Sequence, residues 1–337
     1  MREEDRALLE ELLLARGPGG QEDEVRAICQ RELEGCCDEV GSDAAGNLLA
    51  HLDEIAMIVK RVEADGTLRV VALGGAQPVS FGVCPVQILA GEAVLDGVLS
   101  YGSMHATGES PQGSDVLSGA VHWRDVHVVT RRSAEELANL GVRPGTRVVL
   151  NRLWRRPLYF QDCVAAHFLD DRAPLLAVLG VAREIARRRD KLHGDLYLVL
   201  TTMEEESNAG ALFAARRLPG DISIAVEVGP TVAEYGTRLC RDPIVNSGDS
   251  KGYYSRHVTD RLLRAAERCQ YQPQAALLVD FASDASALLS HGEAAQVGCI
   301  GIPTENTHGF EIVLEEGIEA CRRTLVEFLV QPPDDEA

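Results

Sequence analysis

The chain has 337 residues, 45% of them hydrophobic and 25% charged, the balance of a globular protein long enough for two domains and a well-buried core. A formal net charge of −19 with 5% aromatic residues argues against nucleic acid and anionic membranes as partners, since both would repel it and base-stacking side chains are scarce. Nine cysteines without a C-x-x-C pair suit reduced thiols in a cytoplasm and give no support for a cysteine-held zinc ion.

The opening stretch, MREEDRALLEELLLARG, is acidic and amphipathic, so neither a signal peptide nor a membrane span is expected. Residues 4–16 and 21–35 read as amphipathic helices separated by the breaker Gly17-Pro18-Gly19-Gly20. Gly46-Asn47 leads through Leu48-Leu49-Ala50 into His51-Leu52-Asp53-Glu54 and then the apolar Ile55 to Val59.

From about 60 to 160 the texture changes. Short β-rich pieces (Leu68 to Leu73, Val83 to Leu89, Val94 to Leu99, Val126 to Val129, Arg147 to Leu150) alternate with Gly, Pro and Asp turns, which predicts a small all-β barrel or sandwich. One short helix with a serine cap is expected within 132–142. Beyond Asp162 the pattern predicts a long helix over 172–189, strand 195–202, helix 208–217 and strand 222–228. Helix 258–270, helix 284–290, strand 296–302 and a helix near 311–329 follow, with a frayed tail at 331–337. Strands separated by such helices predict a three-layer α/β/α domain made of residues 1–59 and 161–330, with 60–160 inserted as a small β-barrel.

The run Thr201-Thr202-Met203-Glu204-Glu205-Glu206 follows the apolar segment Leu196 to Leu200 without a turn residue. It concentrates carboxylates where an open α/β sheet places its ligands, at a strand's carboxyl end. His51/Asp53, Asp170/Asp171, Glu227 and His308 fall at comparable strand ends or turns. Two imidazoles with three carboxylates, one of them bridging, match a pair of divalent ions such as zinc roughly 3.5–4 Å apart. Such a pair supports hydrolysis: one ion polarises a carbonyl, both acidify a shared water, and a free carboxylate moves the proton.

HLDE at 51–54, DDR at 170–172, Glu204-Glu205 followed by Gly210-Ala211, the acidic residue 227, and His308 with Glu311 occur in this order. In that order they resemble the M42 metallo-aminopeptidases, the glutamyl- and tetrahedral-aminopeptidase group of the co-catalytic zinc peptidases. The resemblance spans nearly the whole chain, including the inserted β domain. It implies that His51, Asp170, Glu205, Glu227 and His308 hold two divalent metal ions (zinc, or cobalt or manganese), with Asp170 bridging and its bond to Asp171 cis. It also implies Glu204 as general base and Asp53 as the residue orienting His51. The implied substrates are short peptides shortened from the N-terminus, and the implied assembly is a cytoplasmic homo-oligomer, dimer-built and up to a dodecamer, with the β domain in oligomerisation and substrate access.

The chain departs from that family where Gly46-Asn47-Leu48 runs almost directly into His51, at Ser207 and Pro174 in place of glycines, and at Glu305-Asn306 in place of Arg-Tyr. Alternatives from the same residues are a metal-dependent deacylase or carboxypeptidase and a non-catalytic scaffold. His105, His122, His127, His193 and His291 are read as background histidines, His167 and His257 as candidate pocket residues, and Glu206 as a solvated neighbour. Asp284 fits either a site residue or a helix N-cap.

Overall fold

The structure is a computed structural model that describes residues 1–43, 51–103, 105 and 121–332. The Gly46-Asn47-Leu48 connection and the end of the tail lie outside the described residues.

Helices α1 (Glu3–Leu14) and α2 (Asp23–Leu33) lead the chain, as the apolar spacing predicts. Six antiparallel strands then close a barrel: β1 (Ala56–Val62), β2 (Leu68–Leu73), β3 (Cys84–Ala90), β4 (Ala93–Ser100), β5 (His127–Val129) and β6 (Arg147–Leu150), in the order β1-β2-β5-β4-β3-β6. Alternation builds its interior: Cys84, Val86, Ile88 and Ala90 of β3 are buried while the residues between them are half-exposed. The boundary expected at residue 60 falls inside β1. Two short helices join the barrel, α3 (Pro78–Phe81) and α4 (Ala134–Asn139). The second is capped by Ser133, whose hydroxyl accepts from Glu136 N–H in a capping box.

A mixed sheet holds the rest: β7 (Leu158–Phe160), β8 (Cys163–His167), β9 (Ile222–Pro230), β10 (Ile244–Asn246), β13 (Gln274–Ala276), β14 (Gln296–Glu305) and β15 (Phe310–Leu314). Its order is β13-β10-β14-β15-β8-β7, and β9 runs parallel to β14 from Ile222 opposite Gln296 to Pro230 opposite Thr304. Strands β11 (Gly248–Asp249) and β12 (Gly252–Tyr253) form a separate ribbon. The central strand β14 buries Val297, Cys299, Ile300 and Ile302, so both of its faces are covered.

The remaining helices are α5 (Leu169–Ala186), α6 (Glu204–Ser207), α7 (Ala209–Ala215), α8 (Arg256–Arg268), α9 (Asp284–Ser290) and α10 (Glu315–Val330). α5 and α8 both pack on α10 and on strands of the sheet, whereas α9 packs on α7, β9 and β14. Pro174 falls in the first regular turn of α5, because Asp170 and Asp171 have non-helical backbone angles; there its missing N–H costs no internal bond.

Two expectations need correction, and one strand carries no sequence signal. The strand expected over 195–202 is reduced to an extended segment with a bridge at Leu200, although Leu196 and Leu198 pack against the core; among the described residues no strand ladders with 195–199. The helix expected from 311 begins at Glu315, because Phe310 to Leu314 alternates in burial and pairs with β8. β8 itself went unread, since its five consecutive buried residues carry no periodicity.

Candidate active site

The His51 segment is extended and is held by buried charge together with a bridge from Glu54 to Pro18 and a bond from Leu52 N–H to the Thr201 carbonyl at 2.8 Å. Glu54, Arg155 and Arg172 are completely buried and form one ion-paired group. Arg172 donates to Glu54 Oε2 at 2.7 Å and to the carbonyls of Leu52 at 2.9 Å and Asp53 at 3.3 Å. Arg155 donates to Glu54 and to the Ala15 and Leu150 carbonyls, tying α1 and the end of β6 to the same point. Two guanidiniums against one carboxylate satisfy the buried carbonyls and fix the backbone around Asp53.

Asp53 lies 3.0 Å from His51 Nδ1, and its two oxygens accept the N–H groups of Glu204 (3.0 Å) and Glu205 (3.1 Å) at the start of α6. Burial opposes its charge, but His51 and the two N–H donors outweigh that and hold its carboxyl below the usual range. Burial likewise opposes a charged His51, yet Asp53 and Glu204 raise the imidazole well above its ordinary value. Glu204 Oε2 stands 3.2 Å from His51 Nε2.

Asp170 lies in the non-helical start of α5 and is joined to Asp171 by a cis bond, as the family resemblance implies. Ligand-type atoms of His51, Asp170 and Glu205 lie within 4.8 Å of one another, and so do those of Asp170, Asp171 and Glu227. His308 completes the cluster from the turn between β14 and β15, with Nε2 at 3.5 Å from Asp170 Oδ2 and 3.6 Å from Glu205 Oε2. Glu311 anchors this turn: its carboxylate accepts from His308 N–H and Asp170 N–H, each at 2.8 Å. The structure therefore brings together all seven residues singled out in the sequence: His51, Asp53, Asp170, Glu204, Glu205, Glu227 and His308.

It also adds residues that the sequence left without a role. Asp171 is buried, and neither carboxylate oxygen has a hydrogen-bond partner among the described residues. Gly75, in the loop after β2, backs His308 so closely that a Cβ there would stand 2.6 Å from the imidazole Cε1. The Gly74-Gly75 pair signals a turn, but nothing in it reports a neighbour more than two hundred residues away.

Asp284 is not the N-cap of α9: Ser283 caps that helix, leaving Asp284 to accept from Thr201 Oγ1 at 2.6 Å and Asn208 Nδ2 at 3.0 Å. Glu206 is not solvated, since both its oxygens are buried against Gly19, where burial lifts the carboxyl to about 7. His167 is buried edge-on to Phe310 at 5.3 Å, and His257 is exposed on α8.

Burial raises the carboxyls of Asp170, Asp171, Glu205, Glu227 and Glu311, with Asp170 adding repulsion at Glu205 and Asp171 at Glu227. Two imidazoles cannot balance five such groups, and among the described residues Glu205 Oε1 and both Asp171 oxygens have no hydrogen-bond partner. Orphaned carboxylate oxygens beside imidazole nitrogens are the donor set that zinc, cobalt and manganese accept, so these residues fit divalent metal.

Residues 38–324 match the sequence profile of the M42 glutamyl aminopeptidases. The chain belongs to this family. As an M42 peptidase it is a hydrolase acting on peptide bonds. It is 24% identical to a lysyl aminopeptidase of Pyrococcus furiosus over 329 residues, covering 90% of each chain. In structure it is similar to the TET aminopeptidase of the Thaumarchaeota archaeon SCGC AB-539-E09 (TM-score 0.87, 22% identity, 97% and 96% of the two chains). It also matches the TET1 peptidase of Pyrococcus horikoshii (TM-score 0.82, 21% identity, 96% and 98%), which assembles into a tetrahedron or a large octahedral shell. These structural likenesses establish the M42 fold.

Proposed function

We propose that this M42 peptidase is a dinuclear metal-dependent aminopeptidase that removes N-terminal residues from short peptides. The observation that carries the reading is the shared position of Asp170, which belongs to both groups of ligand-type atoms. Asp170 would serve both ions, and His51, Glu205, Glu227 and His308 would supply the remaining ligands. Bound there, the ions would polarise the scissile carbonyl and acidify water. Glu204 takes the proton of the attacking water and returns it to the leaving amine. Its Oε2 lies 3.2 Å from His51 Nε2, a position that supports this role. Asp53 orients the His51 ring and, through two N–H groups, the start of α6. The surplus of carboxylates favours a cationic group, which the free α-amine of a peptide supplies.

The wider reading comprises a three-layer catalytic domain formed by residues 1–59 and 161–330 and an inserted barrel over 60–160 that serves assembly and access. Grouping of α5, α8 and α10 apart from α7 and α9 supports the layers. The chain would act in the cytoplasm, a setting its nine free cysteines suit. It would act as a dimer-built homo-oligomer, in keeping with the assemblies of its structural relatives.

Metal content of protein purified without chelator, with hydrolysis of a panel of aminoacyl-anilides, tests the reading. Near two equivalents of metal and a fall of at least about a thousandfold in kcat for Glu204→Gln are expected. One equivalent or none, with no hydrolysis after adding zinc, cobalt or manganese, would put the scaffold reading first. Release of C-terminal residues or acyl groups instead would favour the carboxypeptidase or deacylase.

A further inference from the structure

The short helix carrying Glu204 ends at Asn208, a buried residue with a left-handed backbone (φ 54°) that also begins α7. Asparagine tolerates that conformation better than most residues, but its side chain does more than permit the turn. Asn208 Nδ2 donates to Glu204 Oε1 at 2.6 Å and to Asp284 Oδ1 at 3.0 Å. Its Oδ1 accepts from Lys251 Nζ, which reaches in from the turn between β11 and β12.

These partners fix the amide's orientation. A lysine ammonium can only donate and a carboxylate can only accept, so the carbonyl must face Lys251 and the NH₂ must face the two acids. A flipped amide would aim its oxygen at two carboxylates and its NH₂ at an ammonium. Asp284 is held in turn by Thr201 Oγ1 at 2.6 Å, on the segment that runs into Glu204. The backbone adds a second tie, with Asn208 N–H donating to the Glu204 carbonyl at 3.2 Å.

We propose that Asn208 is a positioning residue for Glu204: its amide, oriented by Lys251 and Asp284, holds Oε1 so that Oε2 faces the reacting water. The inference rests on Glu204 acting as general base. A glutamate has three torsions to fix, and its general-base work depends on placing one oxygen within hydrogen-bond reach of the water. Holding the other oxygen in a directed bond removes the rotations that would swing it away. Asn208 itself touches neither substrate nor ion in this scheme.

The test uses the metal-loaded full chain and steady-state kinetics on an aminoacyl-anilide. Asn208→Gly keeps the left-handed backbone and removes the amide. Asn208→Asp keeps the shape and replaces the donor with a charge. Each is expected to lower kcat about tenfold to a hundredfold, the scale of a displaced catalytic group. KM and metal content should stay near wild type. In a Glu204→Gln background the same substitutions should cost nothing further, because they act through Glu204. Lys251→Met, at an exposed position that spares the fold, is expected to lower kcat several-fold.

Wild-type kcat in both Asn208 variants and in Lys251→Met, or full additivity with Glu204→Gln, would overturn the positioning role. So would a loss confined to KM. An active Glu204→Gln enzyme would instead overturn the assignment of Glu204, a result recognisable without any Asn208 variant.

Discussion

Asp53 has its oxygens against His51 and the two N–H groups that open α6, so its charge is fixed by three neighbours at once. Asp53→Asn keeps the volume but removes the charge and offers an NH₂ where an acceptor is needed. Metal affinity should fall about 10–100-fold, the usual cost of losing the group behind a ligating histidine. Competition against a chromophoric chelator measures it, and unchanged affinity would remove Asp53 from the site. His167 shows the opposite balance: burial lowers its imidazole to about 4. A histidine neutral in the fold but protonated in the unfolded chain contributes stability that is present above its unfolded value and lost as pH falls towards 4. The loss between pH 7 and 5 should be about 2 kcal/mol. Urea unfolding at the two pH values, compared with His167→Phe, would show a smaller pH-linked loss in the variant. Equal losses would exclude His167 as the source.

At the scale of elements, the cluster depends on how α5 meets the His51 loop. Arg172 is fully buried against Glu54 and three backbone carbonyls, those of Leu12, Leu52 and Asp53. Arg172→Met should cost about 3–5 kcal/mol, because it strands buried acceptors and halves the compensation of Glu54. Removing Arg216, whose pair with Glu293 is largely exposed, should change stability by less than about 1 kcal/mol. Chemical denaturation of the two variants gives the comparison, and similar effects would contradict the weight placed on burial. The ordered acids and histidines mark this junction in sequence, since their spacing follows from elements that each present one end to the cleft. Arg155, by contrast, has no sequence signal. It joins Glu54 across a hundred residues, and an arginine in a polar stretch looks like any solvated one. The extended 195–199 segment departs from its β-rich composition for a related reason: that composition states a preference, and among the described residues no neighbouring strand ladders with it.

Across the whole molecule, the site is a meeting of the barrel with the mixed sheet. Gly75 from the barrel's β2–β3 loop abuts His308 from the β14–β15 turn, and Arg155 joins the end of β6 to α1. The buried carboxyls at this junction repel one another unless a cation separates them. Chelation should therefore lower Tm, and returning metal at 100–1,000 times its Kd should restore roughly 3–4 kcal/mol. A thermal melt that ignores both chelator and metal would mean that no ion stabilises the fold.

The sequence by itself determined the family, five of the six barrel strands and the seven polar residues of the cluster, because periodicity and motif order are local and survive without coordinates. Tertiary structure alone decided that Phe310 to Leu314 is a strand, that the Glu206 carboxylate is buried, that Ser283 rather than Asp284 caps α9, and that Asn208 grips Glu204. Each of these depends on which distant group fills the space beside a residue, and that is set by packing rather than by the residue's own preferences.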